Sequence, residues 1–222
     1  PIGWDLVDGH YEVIIEAQDM AGNTGDDDWA FALQQTYAPA MEALPQFVNT
    51  NSVTVTWTDV DNEAEYELQR DMSPSFGNPV AQVLVVDTTS YDETSLADGT
   101  YYWRIRAIAY GDRVSLWSNT VSTTVDTIAP DAPVVTLLTP SPTNEVPQSW
   151  NWTAPIGADG YMVSLDAGST WEDVGNVRTY QTWFNTDGAY TLTVKAYDLA
   201  GNESGTDADT VTIDVTGPAV PT

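Results

Sequence analysis

Cysteine is absent from this 222-residue chain. That excludes disulfides, thiolate zinc sites and thiol catalysis. Histidine occurs once, at His10. A Ser-His-Asp triad or a histidine-based zinc site would have to use it. Basic residues are scarce too. Six Lys and Arg stand against 33 Asp and Glu, for a formal net charge of −27. Such a surface repels the phosphates of nucleic acid and of anionic membranes, and it attracts cations. Lys195 is the only lysine. Its neighbours Leu192, Val194 and Ala196 alternate as a core face, which points Lys195 to solvent and argues against a lysine-to-Asn cross-link. No apolar run is long enough to span a bilayer as a helix. The chain begins with Pro1 rather than Met and carries no signal-peptide pattern, so we read it as an internal piece of a longer protein.

What the sequence does hold is a repeat. Asp-Gly-x-Tyr occurs at Asp8–Tyr11, Asp98–Tyr101 and Asp187–Tyr190, in steps of 90 and 89 residues (98 − 8 and 187 − 98). A fixed period of this size implies one β-domain in tandem. "AQDMAGNTG" from Ala17 matches "AYDLAGNES" from Ala196 at the combined step of 179. Trp57 and Trp152, Tyr66 and Tyr161, Asp71 and Asp166, and Phe76 and Trp171 are each 95 apart. Tyr91 to Tyr180 returns to a step of 89, so the third repeat is shorter in the stretch that corresponds to Phe76–Tyr91, as a surface-loop deletion would make it.

Period-two alternation dominates, and no helical period appears. "YEVIIEA" and "WAFAL" predict a hairpin around "DMAGN". "SVTVTW", "YELQRD", "QVLVVD", "TSYDE", "YYWRIRAIA" and "TVSTTV" predict the strands of a middle domain. "SWNWTA", "GYMVSLD", "TYQTWF", "AYTLTVKAYD" and "DTVTIDV" predict those of the third. The reading is all-β. Residues 1–37 are the C-terminal hairpin of an incomplete domain, 38–127 and 128–216 are complete sandwiches, and 217–222 begin another linker. A lone hairpin is marginal in water, so the first needs its missing half from further sequence, or a surface on a neighbouring domain or chain.

At these residues the chain resembles known modules. Trp57, "YELQRDMSPSF", "LADGTYYWRIRA" and "LWSN" resemble a bacterial fibronectin type III domain, and the first and third repeats resemble bacterial Ig-like domains. The resemblance implies a tandem array in a large extracellular or cell-surface protein. It implies a non-catalytic, adhesin-like spacer whose partners are neighbouring domains of the same chain. Self-assembly into a surface layer or filament, and accessory modules of a secreted polysaccharide-degrading enzyme, are the alternatives. Any host or surface ligand would bind elsewhere, and no membrane insertion is expected in this segment.

The Asp-Gly-x-Tyr phrase reads as structure: a glycine turn, then a tyrosine folding back onto upstream backbone. The Asp-x-Ala-Gly-Asn turns carry two readings. Asp19 and Asp198 can cap their own turns. They can also join linker carboxylates Asp126 and Asp131 to hold calcium at a domain junction, as the resemblance implies for Ig-like repeats of giant adhesins. Asp19, Asp126, Asp131 and Asp198 are thus the candidate metal ligands. The acidic runs "DVDNEAE" and "GDDDW" lack the spacing of an EF-hand loop and read as solvated loops. Among nine tryptophans, Trp57, Trp103 and Trp152 fit core positions and Trp117 an outer strand. Trp29, Trp150 and Trp171 leave room for a sugar platform. "NWT" at Asn151 and "NES" at Asn202 match the glycosylation triplet. No constellation departs from the repeat as a catalytic cleft would.

Overall fold

A computed structural model describes residues 9–18, 20, 24–33, 36–61, 63–109, 113–144 and 147–219, with backbone alone for 9–18 and 24–33. Strands β1 (Gly9–Gln18) and β2 (Thr24–Leu33) form the expected hairpin. Its register pairs Tyr11 with Phe31 and Val13 with Trp29, matching the two alternating sets in the sequence. His10 lies in β1 opposite Ala32.

Eight strands follow: β3 (Phe47–Val48), β4 (Val53–Thr56), β5 (Glu63–Asp71), β6 (Val80–Val85), β7 (Ser90–Glu93), β8 (Gly99–Ala109), β9 (Arg113–Val114) and β10 (Val121–Val125). One sheet runs β3-β10-β8-β5-β6, with β9 added to β8, and the other pairs β4 with β7. The next seven are β11 (Val135–Leu137), β12 (Gln148–Trp152), β13 (Gly160–Ser164), β14 (Glu172–Gly175), β15 (Thr179–Thr182), β16 (Gly188–Tyr197) and β17 (Glu203–Ile213). They form sheets β11-β12-β15 and β14-β13-β16-β17. The alternation does not predict β3, β9, β11 and β14, of which β3 and β9 are only two residues long.

The chain forms two compact units. The first comprises Pro1–Leu44, Thr54–Glu93 and Thr100–Ser122, and the second Pro45–Val53, Thr94–Gly99 and Thr123–Thr222. In the first, Tyr101, Trp103, Ile105, Ala107 and Ala109 of β8 are all buried, the alternation that its sequence predicts. Trp57 meets Tyr66 edge-on at 5.9 Å between ring centroids. In the second, Trp152 meets Tyr161 edge-on at 5.7 Å. The 95-residue step thus conserves an aromatic pair between the repeats, worth about 0.5–1.5 kcal/mol beyond area burial. Val135, Trp150, Trp152, Val163, Leu192, Val194 and Ile213 fill the core around the second pair.

Two side chains correct their sequence readings. Trp150 is fully buried, so it joins the core and leaves the sugar-platform candidates. Lys195 does lie on the outer face of β16, but it is covered. Its side chain is 13% exposed, pairs with Glu203 at 2.7 Å, and lies 4.4 Å from the Trp171 ring centre.

Candidate functional site

The Asp-Gly-x-Tyr phrase becomes a brace. Gly99 and Gly188 adopt φ of 149° and 157°, which favours glycine. Tyr190 folds back so that its hydroxyl donates to the Thr186 carbonyl at 3.2 Å, as the sequence predicts. The aspartates do something unforeseen. Asp98 Oδ1 accepts from the Thr127 N–H at 3.0 Å and the Thr127 hydroxyl at 2.9 Å. Asp187 likewise accepts the Val215 N–H at 2.6 Å and the Thr216 hydroxyl. In both repeats this carboxylate pins the chain just after the last strand. The Thr216 bond holds the Asp187 carboxyl below its ordinary pKa.

The Asp-Leu-Ala-Gly-Asn turn is built on Asp198, which is 7% exposed. Its Oδ1 accepts the Ala200 and Asn202 N–H groups, both at 2.9 Å. Gly201, at φ 86°, takes the left-handed step. The Asn202 Nδ2 amide then donates to Asp198 Oδ2 at 2.9 Å and to the Asp126 carbonyl at 2.7 Å. Asn49 Nδ2 donates to the Gly201 carbonyl at 3.4 Å. Asp126 Oδ1 caps Ile128 N–H at 3.1 Å. So Asp126 and Asp198 are brought together, with the Asn202 amide bridging the Asp126 carbonyl and the Asp198 carboxylate. Asp131 is exposed, and Asp19 lies outside the described residues. The Asn202 amide is committed to this clamp, so glycosylation of "NES" would break it.

A second acidic group was missed by sequence reading as a set. Carboxylate oxygens of Asp59, Glu63 and Asp87 lie within 4.8 Å of one another, the one such trio among the described residues. Glu63 is 5% exposed and its Oε1 accepts the Asp87 N–H at 3.2 Å. Tyr66 donates its hydroxyl to Asp59 at 2.7 Å, and burial together with that bond pushes its pKa up. Asp59 and Glu63 belong to the acidic run noted above. Asp87 comes from 24 residues further on (87 − 63), which no local spacing could reveal. Three oxygen donors suit a hard cation, so the trio can bind a metal.

On the outer face of β5 and β8, Arg104 lies between Phe76 and Trp117, 4.1 and 4.3 Å from their ring centres. Arg106 stacks on Trp117 at 4.5 Å and pairs with Glu67 at 2.6 Å. The "LWSN" tryptophan is thereby packed under two guanidiniums. Trp183 is 62% exposed, Trp171 is half-buried against Lys195, and the Trp29 side chain lies outside the described residues. No helix among the described residues is long and apolar enough to cross a membrane.

No protein-family model matches the chain. Exoglucanase B of Cellulomonas fimi is 29% identical over 89% of it. Chitinase A1 of Niallia circulans is 32% identical over 76% of it. The chain spans only 19% and 25% of those two relatives. Among solved structures, the chicken CNTN1 FN1-FN3 domains superpose on 91% of this chain and 75% of their own, with a TM-score of 0.53 and 14% identity. That likeness establishes the fold: tandem β-sandwiches of the fibronectin type III kind.

Proposed function

We propose that this chain is a non-catalytic spacer of a secreted, multi-domain protein whose other domains act on a polysaccharide. The observation that carries the reading is the use of its polar residues. Asp98, Asp187, Asp198 and Asn202 are spent on bracing strand ends and clamping a turn to the backbone that leads into the linker. The names of the two enzyme relatives support polysaccharide as the substrate of the parent protein. The fibronectin type III fold serves many proteins and assigns no activity by itself. An adhesin spacer needs the same sandwiches, and a surface-layer subunit would add self-association.

The test uses the chain alone. It is incubated with soluble cello- and chito-oligosaccharides and sedimented with crystalline cellulose and chitin. The reading expects no products and no protein in the pellet. Hydrolysis, or retention lost on Trp183→Ala, would overturn it in favour of a catalytic or binding module.

Calcium is a separate part of the proposal. It rests on Asp59, Glu63 and Asp87, where a divalent ion would offset the mutual repulsion of three carboxylates. Asp198 has its oxygens turned to N–H donors, so the Asp126, Asp131 and Asp198 set depends on a cation competing with the Asn202 amide.

A further inference from the structure

The receptor that holds the Asp198 turn has two parts, which follow β3 and β10 within the second compact unit. Asn49 follows β3 and donates to the Gly201 carbonyl. The Asp126 carbonyl follows β10 and accepts from Asn202. The two segments are tied together, because Asp126 N–H donates to the Val48 carbonyl at 3.0 Å.

The third sandwich carries the same parts at its own far end. Thr143 and Asn144 stand 95 residues after Val48 and Asn49 (143 − 48 and 144 − 49), the step that also relates Trp57 to Trp152. Asp214 N–H donates to the Thr143 carbonyl at 3.0 Å, repeating the Asp126–Val48 bond. Asp187 pins Val215 as Asp98 pins Thr127. Asn144, Asp214, Thr143, Pro140 and Pro142 line a cavity of about 360 Å³. Exposure separates the two receptors. Asp126 is half-buried and Pro130 buried, whereas Asp214 and Pro218 are exposed.

We propose that Asn144 and the Asp214 carbonyl form a second receptor of the same design, and that its occupant is the Asp-x-Ala-Gly-Asn turn of a further sandwich following in the chain. The occupant must present a carbonyl to an asparagine amide and, from the next residue, an amide to a main-chain carbonyl. The Gly201–Asn202 pair does this by placing glycine in the left-handed region. The motif occurs twice in this sequence, at Asp19–Asn23 and Asp198–Asn202. The middle repeat has Ala109 at the Asp position and lacks it, so its turn would not fit. Docking therefore selects which kind of module follows which. The inference rests on the spacer reading but is separable from it, since a loosely tethered module also spaces.

The test extends the full chain. A copy of residues 131–216 is joined after Pro218, repeating the spacing between Pro130 and Asp131. Backbone ¹⁵N relaxation then compares the appended copy with the third sandwich. The expected result is a shared correlation time, which splits in Asn144→Ala and equally when the Asn202 of the copy is changed to Ala. Independent tumbling of the folded copy, or shared tumbling unmoved by both substitutions, overturns the proposal. Should the copy not fold, a cyclised peptide of residues 193–207 is titrated into the 222-residue chain at roughly millimolar levels, the effective concentration that a short linker supplies. Amide shifts confined to Thr143, Asn144 and Asp214 support the proposal. Silence there, or saturation at another face, overturns it.

Discussion

Replacing Asp198 with alanine removes the acceptor on which the clamped turn is built. Its carboxylate receives three donors: the Ala200 N–H, the Asn202 N–H and the Asn202 amide. The amide keeps its second acceptor, the Asp126 carbonyl, so its loss counts for little. The two main-chain donors have no such reserve. Hydrogen bonds to a charged group contribute about 1.5–3 kcal/mol each. The lower figure applies here because the turn lies at the surface and water reaches part of it, giving about 3 kcal/mol for the pair. For a sandwich of this size each kcal/mol moves Tm by roughly 4–8 °C, so the third sandwich should melt roughly 12–24 °C lower. Asp198→Asn keeps one acceptor oxygen and should lose about half as much. Calorimetry of the full chain reads both, with the transition of the middle sandwich as internal reference. A shift under about 4 °C in Asp198→Ala would mean that water replaces the carboxylate almost fully, and would refute the assignment of the turn's stability to this residue.

Three further outcomes follow from the geometry. Trp117→Ala strips the aromatic face from both Arg104 and Arg106, and should destabilise the middle sandwich by about 2 kcal/mol in urea unfolding, given roughly 0.5–1 kcal/mol per exposed cation–π contact plus lost packing. Acid should weaken the third sandwich through Asp166, whose carboxyl is held down to about 2 by the Thr170 hydroxyl, the Thr170 N–H and the Ser164 hydroxyl. Its folded pKa lies below its unfolded value. Its contribution is therefore complete above about pH 4 and lost as pH falls through about 2, and Asp166→Asn should flatten the melting-temperature profile in that window. Millimolar calcium should raise the melting temperature of the middle sandwich and EDTA should reverse it, with Glu63→Gln abolishing the response; identical melts in both would remove calcium from the account.

The sequence made the fold legible through two steps, 95 and 89 residues. They predict that Trp57 and Tyr66 recur as Trp152 and Tyr161, and both pairs do meet edge-on in their cores. Alternation predicts the buried face of β8 residue for residue. The brace was harder to see. Asp98 and Asp187 stood out only as turn residues, because a chain with 33 acids offers no local sign of which one reaches 29 residues ahead (127 − 98). Asn49 and Asn144 share the step of the tryptophans, yet asparagine in a loop looks like turn chemistry until its amide is seen on Gly201. The Asn202 amide joins the Asp126 main-chain carbonyl to the Asp198 carboxylate, while the Asp126 carboxylate caps Ile128 N–H; no spacing in the sequence marks that amide as the link. Asp87 completes a cluster that only folding assembles.

The central claim is that this chain acts by position, and exchanging it within its parent protein tests that most directly. Residues 38–216 are replaced by a flexible Gly/Ser linker of equal residue number, and turnover is measured on a soluble oligosaccharide and on the insoluble polymer. The account predicts unchanged turnover of the soluble substrate and a severalfold loss on the insoluble one, because only the latter requires the active domain to be held at a set distance. Loss of soluble turnover, or equal rates on both substrates, would contradict it.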